Sequence, residues 1–250
     1  MTRPRTATPK DRLRHRVWDL LDTHGAGRSG PVHGEIPDFH GADRAAVQLA
    51  GHPRWAAARV VKANPDRAQS EVRLLALRGG KTVYMAVPRI AAPEPFYEID
   101  PAVLTTDPEV LVTGRGAAQH APRTPIERMR PVDAVVCGSV AVNRQGVRIG
   151  KGAGYSDIEM ALLAQAGLID ERTLIVTTVH ALQVVDEAIP EAAYDVSVDL
   201  IVTPEETIEC PPRRRPAGIA WQELGEEKIA AVPVLRNLQR ALRGGEHGTR

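Results

Sequence analysis

A glycine-rich stretch, "RIGKGAGYSD", begins at Arg148 and concentrates residues that could bind a phosphate. Gly150, Gly152 and Gly154 alternate in it, and the missing Cβ atoms would let successive backbone amides approach a ligand. A helix that follows such a loop presents unpaired N–H groups and a partial positive charge at its first turn. Arg148 and Lys151 add two cations that suit phosphate oxygens. The stretch therefore predicts an anion-binding loop.

The aspartate at the end of this stretch, Asp157, indicates a metal, because a bare carboxylate would repel a phosphate. Magnesium is commonly held by one or two carboxylates together with substrate phosphates, so Mg-ATP would satisfy the whole loop. The loop is not a Walker A sequence, and Tyr155 stands where a GxGxxG pattern needs its third glycine. A tight turn with Ser156 as helix N-cap and Asp157 stabilised by the helix dipole explains the spacing equally well. Spacing alone leaves both interpretations open.

The composition favours a soluble protein that acts on small solutes. The 250 residues are 43% hydrophobic, which is enough for one large domain or two small ones. Thirty-two basic and 31 acidic side chains nearly cancel, so we expect no nucleic-acid partner and no membrane partner. Two cysteines provide neither a disulfide framework nor a zinc site. No apolar run approaches the length of a signal peptide or a membrane span, so we expect a cytoplasmic location. The oligomeric state stays open.

The loop must be positioned by alternating strands and helices. Apolar periodicity predicts helices over 11–21, 69–80 and 156–168, with a weaker helix over 42–58. Continuous apolar runs predict strands over 58–63, 81–88, 132–142, 173–179 and 198–204. The third of them leads into the glycine loop. The stretch 90–131 is rich in Pro, Gly and Thr and has poor periodicity, so it receives no firm prediction.

This order of elements predicts an α/β fold with a mainly parallel sheet covered by helices on both faces. In such folds ligands bind beyond the carboxyl ends of the strands, where we expect the glycine loop to lie. We predict one α/β domain over residues 1–206. Residues 207–250 are expected to form a linker and a helical extension, interrupted at Pro233, that packs on the same domain.

Several motifs resemble one known family. "GVRIGKGAGYSD", "KDRLRHRVW", "GGKTVYMAVPRI" and "AYDVSVDLIVTP" are similar to motifs of the 5-formyltetrahydrofolate cyclo-ligase (methenyltetrahydrofolate synthetase) family. "NPDRAQSEVR", "TTVHALQVVD" and the terminal "GIAWQEL" resemble its methenyltetrahydrofolate synthetase domain-containing branch. The resemblance covers nearly the whole chain.

The resemblance implies an α/β sandwich similar to the CoA-transferase and ribose-5-phosphate isomerase group, and it implies an ATP-driven reaction. In that reaction the formyl oxygen of 5-formyltetrahydrofolate attacks the γ-phosphate. N10 then displaces the phosphate and closes 5,10-methenyltetrahydrofolate, leaving ADP and phosphate. Because no protein nucleophile is needed, positioning and charge neutralisation would carry the catalysis.

The resemblance also implies the site residues. Those expected to bind ATP are Lys10, Arg14, Gly150, Gly152, Ala153, Gly154 and Tyr155. Those expected to act directly in catalysis are Arg148, Lys151 and Tyr155. Asp157 and Asp195 are expected near magnesium, and Asp199 is taken as a turn residue.

Two departures from the family pattern keep other functions open. The family's Y-Y-D-R segment has Ser156 and Ile158 at its second and fourth positions here. The acid expected before the second helix has no clean equivalent among Asp66, Gln69 and Glu71. An ATP-using enzyme with a different substrate, for example a thiamin-related compound, is one alternative. A non-catalytic nucleotide-binding regulatory protein is another.

Overall fold

The computed structural model describes residues 7–212, 215 and 218–245. Its helices are α1 Pro9–Thr23, α2 Ala42–Ala50, α3 Pro53–Ala57, α4 Ser70–Arg78, α5 Pro108–Leu111, α6 Gly114–His120, α7 Tyr155–Gln165, α8 Glu226–Ala231 and α9 Pro233–Gly245. Its strands are β1 Val60–Ala63, β2 Thr82–Ala86, β3 Phe96–Ile99, β4 Arg123–Thr124, β5 Ala134–Cys137, β6 Ala141–Asn143, β7 Arg148–Ile149, β8 Leu174–Thr178, β9 Val184–Val185, β10 Leu200–Val202 and β11 Thr207–Glu209.

Eight strands form the main sheet in the order β11-β10-β8-β5-β1-β2-β3-β4. The five central strands, from β10 to β2, all pair in parallel. Strands β11, β3 and β4 are antiparallel additions at the two edges. The prediction of a mainly parallel sheet is therefore confirmed.

Helices cover both faces of this sheet, because its central strands are apolar on both sides. In β1, Val61 packs into a core shared with α1, α2 and α4, while its neighbour Val60 packs into a second core shared with α7, α8 and α9. In β2, Val83 and Tyr84 divide between the two cores in the same way. Alternating side chains thus build two cores, one on each face, as an α/β sandwich requires.

The prediction of one strand over 132–142 is wrong. Strand β5 ends at Cys137, and the chain leaves the main sheet before β6 begins at Ala141. Strands β7, β6 and β9 form a separate three-stranded sheet. Gly146 makes the β6–β7 turn with φ of +83°, and a Cβ there would lie 2.2 Å from the Val198 carbonyl oxygen. The glycine loop therefore follows a hairpin, and not a strand of the main sheet.

The segment 90–131 holds more regular structure than its composition suggested. It contains β3 and β4, which extend the sheet, and the short helices α5 and α6. Their shortness explains the weak periodicity, since a four-residue helix shows no repeat of its apolar face.

The chain beyond residue 206 packs on the same sandwich. Strand β11 pairs with β10, and α8 and α9 bury Ile229, Val232 and Leu235 in the core that α7 also lines. The helices break at Pro233, as expected. Parts of the predicted linker and the last residues, 213–214, 216–217 and 246–250, lie outside the described residues, and a domain division at residue 206 stays a prediction. Within the described ranges, no helix is both long and apolar enough to cross a bilayer.

Candidate active site

A cleft of about 560 Å³ opens at the carboxyl ends of three central strands. Asn64 follows β1, Val87 follows β2 and Gly138 follows β5, and all three line the cleft. The position agrees with the expectation for a parallel α/β sheet. The cleft brings together every residue predicted for the site: Lys10, Arg14, Arg148, Gly150, Lys151, Gly152, Ala153, Gly154, Tyr155, Asp157 and Asp195.

The glycine loop connects β7 to α7 and needs glycine at two positions. Gly152 has φ of +101° and Gly154 has φ of +73°, a region that other residues rarely adopt. Gly154 is the N-cap of α7, and no side chain caps this helix end. Ser156 lies inside the first turn, so the alternative interpretation that made it the N-cap is wrong. The first amides of α7 are left for another acceptor, which suits an anion.

Arg148 lies beneath the loop in an ion pair with Asp157. Its guanidinium donates to Asp157 Oδ1 (2.9 Å) and to the Gly138 carbonyl oxygen (3.2 Å), and its side chain is 2% exposed. Burial alone would lower the pKa of Arg148, but the negative charges around it, Asp157 first and then others including Asp195 and Glu159, together outweigh burial and raise the pKa. Arg148 therefore keeps its positive charge at the floor of the cleft. Asp157 remains open to the cleft on its other side.

A second ion pair lies deeper on the same helix. Lys62, in the middle of β1, pairs with Glu159 of α7, and Lys62 Nζ also donates to Asn64 Oδ1 (2.6 Å). Asn64 Nδ2 in turn donates to Ser156 Oγ (3.3 Å). Sequence analysis did not identify Lys62 or Glu159. The sequence feature that could have indicated them is a single charged residue within each apolar stretch, because a buried charge requires a partner of opposite sign.

Helix α1 contributes two predicted cations. Lys10 forms an ion pair with Asp195, whose Oδ2 also accepts from the Ala192 amide (2.7 Å). Arg14 Nε donates to the Gly150 carbonyl oxygen (2.7 Å), and its guanidinium pairs with Asp11 (2.7 Å). Arg14 thereby ties the first helix to the glycine loop.

Lys151 lies near Asp66, which is the residue among Asp66, Gln69 and Glu71 that lines the cleft. Its Nζ donates to Glu35 (2.7 Å) and lies 3.8 Å from Asp66, which lines the cleft. Gln69 is buried, with its amide nitrogen 3.5 Å from the Thr178 hydroxyl, and Glu71 pairs with Arg28. Burial lowers the pKa of Lys151, but the hydrogen bond to Glu35 and the charge of Asp66 raise it overall.

The C-terminal segment reaches the loop through Lys228, which sequence analysis also missed. Its Nζ donates to the Ala153 carbonyl oxygen (2.9 Å) and lies 3.8 Å from the centre of the Tyr155 ring. A lysine 73 residues away from Tyr155 gives no local sequence signal for this contact.

The two carboxylates predicted to bind magnesium line the same cleft, but each is paired with a cation: Asp157 with Arg148 and Asp195 with Lys10. Among the described residues, no group of three or more histidine, cysteine, aspartate or glutamate side chains is placed to hold a metal ion. Two carboxylates fit magnesium that takes its other ligands from phosphates and water. The metal assignment therefore stays a prediction.

His180 and Asp199 have structural contacts outside the cleft. His180 Nδ1 accepts from the Leu182 amide (3.2 Å) and so caps a short turn after β8. Asp199 accepts from the Ile175 amide (2.9 Å) and pairs with Arg215. Neither residue lines the cleft.

A glycine loop, a helix N-terminus and several cations at the strand ends are features with which parallel α/β folds bind phosphate groups. The model of the 5-formyltetrahydrofolate cyclo-ligase family matches residues 7–204. The chain belongs to this family of cyclo-ligase enzymes. The match ends before β11 and before the helices that carry Lys228.

Individual relatives agree with this assignment. The chain is 37% identical over 244 residues to a bovine (Bos taurus) methenyltetrahydrofolate synthase domain-containing protein, covering 94% of this chain and 63% of the relative. It is 39% identical over 239 residues to the mouse (Mus musculus) protein of the same description, covering 92% of this chain and 63% of the relative. The chain thus spans less than two thirds of the length of these relatives.

A solved structure supports the fold. The NMR structure of an Aquifex aeolicus 5,10-methenyltetrahydrofolate synthetase superposes with a TM-score of 0.53 at 22% identity. The match covers 83% of this chain and 95% of the Aquifex chain. At this identity the similarity establishes a shared fold.

Proposed function

We propose that this protein is an ATP- and magnesium-dependent cyclo-ligase that converts 5-formyltetrahydrofolate, or a related N-formyl compound, to its cyclised methenyl product with release of ADP and phosphate. The observation that carries the proposal is the single cleft shared by the glycine loop, the cations of α1 and the carboxylates Asp157 and Asp195. Family membership supplies the class of reaction.

The chain's residues suit the binding of ATP phosphates. The amides of 150–154 and the first turn of α7 would donate to phosphate oxygens, with Lys10, Arg14 and Lys151 adding charge. Asp157 and Asp195 would hold magnesium, which supplies neutralisation of the phosphate charge. Tyr155, fixed by the ammonium group of Lys228 over its ring, would shape the wall beside these phosphates.

The chemistry then balances without a protein nucleophile. The formyl oxygen forms a bond to the γ-phosphorus as the bond between that phosphorus and ADP breaks. N10 then attacks the formyl carbon and releases its proton to solvent, and phosphate leaves with the former formyl oxygen and the electrons of the broken C–O bond. The cleft contributes alignment of the formyl oxygen with the γ-phosphate and a fixed set of charges around it. Arg148, held beneath the loop, would stabilise the position of Asp157 during both steps.

A spectroscopic assay tests the proposal. Mixing the protein with 5-formyltetrahydrofolate, ATP and Mg²⁺ should produce the near-ultraviolet absorbance of the methenyl product while ATP is consumed. Omission of Mg²⁺ should abolish the signal. Nucleotide binding without any methenyl product would contradict the proposed substrate.

One observation favours a second candidate, an ATP-using enzyme with a different substrate. Ile158, where the family pattern has an arginine, is buried at 6% exposure in the core beneath α7. A charged contact of the family pattern is therefore missing, while the glycine loop is complete. Its substrate would be, for example, a thiamin-related compound. A nucleotide-binding regulatory protein without catalysis is a separate alternative.

A cytoplasmic location belongs to the same proposal. Cys137 is a buried free thiol and Cys210 is a partly exposed one, which fits a reducing compartment. The proposed substrates are small solutes, so the account needs no nucleic-acid partner and no membrane partner.

A further inference from the structure

Arg89 differs from the other cations of the cleft because it has no acidic partner in the part of the chain that the structure describes. Lys10, Arg14, Arg148 and Lys151 each pair with a carboxylate. Arg89 lines the same cleft from the turn after β2, its side chain is exposed, and it makes no ion pair or side-chain hydrogen bond among residues 7–212, 215 and 218–245. The cleft therefore carries a positive charge that none of the described residues neutralises.

The backbone that presents Arg89 is strained. Arg89 has φ of +57° and Ile90 has φ of +52°, and these are the only residues other than glycine with positive φ in the described part of the chain. A β-branched residue such as Ile90 strongly disfavours this region. Residues held in such conformations concentrate at functional sites, where the surrounding structure over-determines them.

The surroundings explain how this conformation is held. Ile90 is fully buried in the core beneath α7, and its amide donates to the Val87 carbonyl oxygen (2.8 Å). The Val87 amide donates to the Pro95 carbonyl oxygen (2.9 Å), which closes the turn toward β3. Burial of Ile90 thus offsets the strain and fixes the adjacent Arg89 at the mouth of the cleft.

We propose that Arg89 binds an oxyanion group of the ligand in this cleft, either a carboxylate of the N-formyl substrate or a phosphate of the nucleotide. The inference deepens the proposed function and rests on it for the identity of the two ligands. A guanidinium group presents parallel N–H donors that match a carboxylate or a phosphate in a bidentate contact. Its charge is available, because no carboxylate of the described chain competes for it.

The experiment compares Arg89→Gln with Arg128→Gln. Arg128 is a matched control, since it is also exposed, lies in the turn 126–128 outside the cleft, and has no acidic partner among the described residues. Calorimetric titrations would measure the affinity of each variant for Mg-ADP and for 5-formyltetrahydrofolate in the presence of Mg-ADP. Arg89→Gly is a second variant that suits the positive φ, and it should melt no lower than Arg89→Gln.

The outcomes show whether Arg89 binds the substrate carboxylate, a nucleotide phosphate, or neither. We expect Arg89→Gln and Arg89→Gly to weaken one ligand about 10-fold or more, as loss of a charged hydrogen bond does, while Arg128→Gln weakens neither. If only the affinity for 5-formyltetrahydrofolate falls, Arg89 binds a carboxylate of the substrate. If the affinity for Mg-ADP falls, Arg89 binds a phosphate of the nucleotide. Unchanged affinity for both ligands overturns the proposal for Arg89.

Failure of the proposed function gives a different result. If the wild type binds Mg-ADP but no 5-formyltetrahydrofolate, the proposed substrate is wrong, and the Mg-ADP titration alone then decides the role of Arg89. In that case, an Arg89→Gln variant with wild-type affinity for Mg-ADP overturns the Arg89 proposal. Absence of binding for both ligands would overturn both proposals.

Discussion

Helix α7 carries two acidic residues two positions apart, and their surroundings differ. Glu159 pairs with Lys62 of the main sheet, and the two side chains are 7% and 0% exposed. Asp157 pairs with Arg148 of the small sheet, but the Asp157 side chain is 25% exposed and faces the cleft. The deeper pair is almost fully buried, although Glu159 borders the cleft, whereas the outer pair leaves one carboxylate open to a ligand.

The difference shows how one helix serves both stability and binding. Lys62 lies in the central strand β1, where water cannot reach its charge, so the carboxylate of Glu159 neutralises that charge. Arg148 lies at the floor of the cleft, where Asp157 could be shared between the guanidinium group and a bound metal. Substitutions of the inner pair should therefore change folding, and substitutions of the outer pair should change activity.

The largest effect is expected at the inner pair. Glu159→Gln leaves the Lys62 charge buried without a counter-charge, which should lower the free energy of unfolding by about 3–5 kcal/mol. Urea denaturation measures this loss. The double variant Lys62→Met with Glu159→Leu is the control, because an apolar pair removes both charges and should recover most of the stability. A loss below about 1 kcal/mol in Glu159→Gln would contradict the structural role of this pair.

Substitution of Asp157 in the outer pair should lower turnover more than stability. Asp157→Asn keeps the shape of the side chain and its contact with Arg148, but it removes the charge proposed to hold magnesium. Turnover should fall about 100-fold, as for loss of a preorganised electrostatic group, and excess Mg²⁺ should restore part of it. The melting temperature should fall less than in Glu159→Gln, because the amide oxygen can still accept from Arg148 and the position is 25% exposed, against 7% for Glu159. If Asp157→Asn kept the turnover and the magnesium midpoint of the wild type, Asp157 would have a structural role only.

A smaller effect should come from the C-terminal contact on the open side of α7. Lys228→Met removes the hydrogen bond to the Ala153 carbonyl oxygen and the cation over the Tyr155 ring. Affinity for Mg-ADP should fall about 5- to 10-fold, because both interactions hold the loop in its binding geometry. Arg236→Gln, an exposed change on α9, is the control. Equal affinities in the two variants would show that the loop does not depend on Lys228.

The smallest effect is expected at His180, which lies away from both pairs. Burial lowers the pKa of His180 below its usual value of 6.5. Its neutral Nδ1 accepts a hydrogen bond from the Leu182 amide. The stability that this bond contributes is present above pH 6.5 and is lost as pH falls through the lowered pKa. Loss of this cap in His180→Ala should cost about 1 kcal/mol at neutral pH and less in acid. Denaturation curves at several pH values measure it, and a cost independent of pH would contradict the capping role.

Of the two pairs, only the surroundings of the outer one could be predicted from the sequence. The spacing of Gly150, Gly152 and Gly154, with the cations and Asp157 around them, predicted a binding loop that the structure places in one cleft with the residues of α1. Local spacing sufficed there, because the loop and its helix are continuous in the chain.

The inner pair and the small sheet could not be predicted in the same way. Lys62 and Glu159 are 97 residues apart, and nothing local pairs one charge with the other. The run 132–142 is apolar throughout, so it does not show that the chain changes sheets between Cys137 and Ala141. The strain at Arg89 depends on how Ile90 packs in the core, which is a property of the folded state.

Calorimetric titration of Mg-ATP tests most directly whether this cleft binds nucleotide. The titration compares the wild type with Lys10→Gln and Arg16→Gln, which remove one charge each from the same helix. Lys10 lines the cleft, whereas Arg16 pairs with Glu187 outside it. We predict saturable binding by the wild type that weakens about 10-fold or more in Lys10→Gln and stays unchanged in Arg16→Gln. Absence of saturable binding by the wild type, or equal affinities in the two variants, would contradict the account.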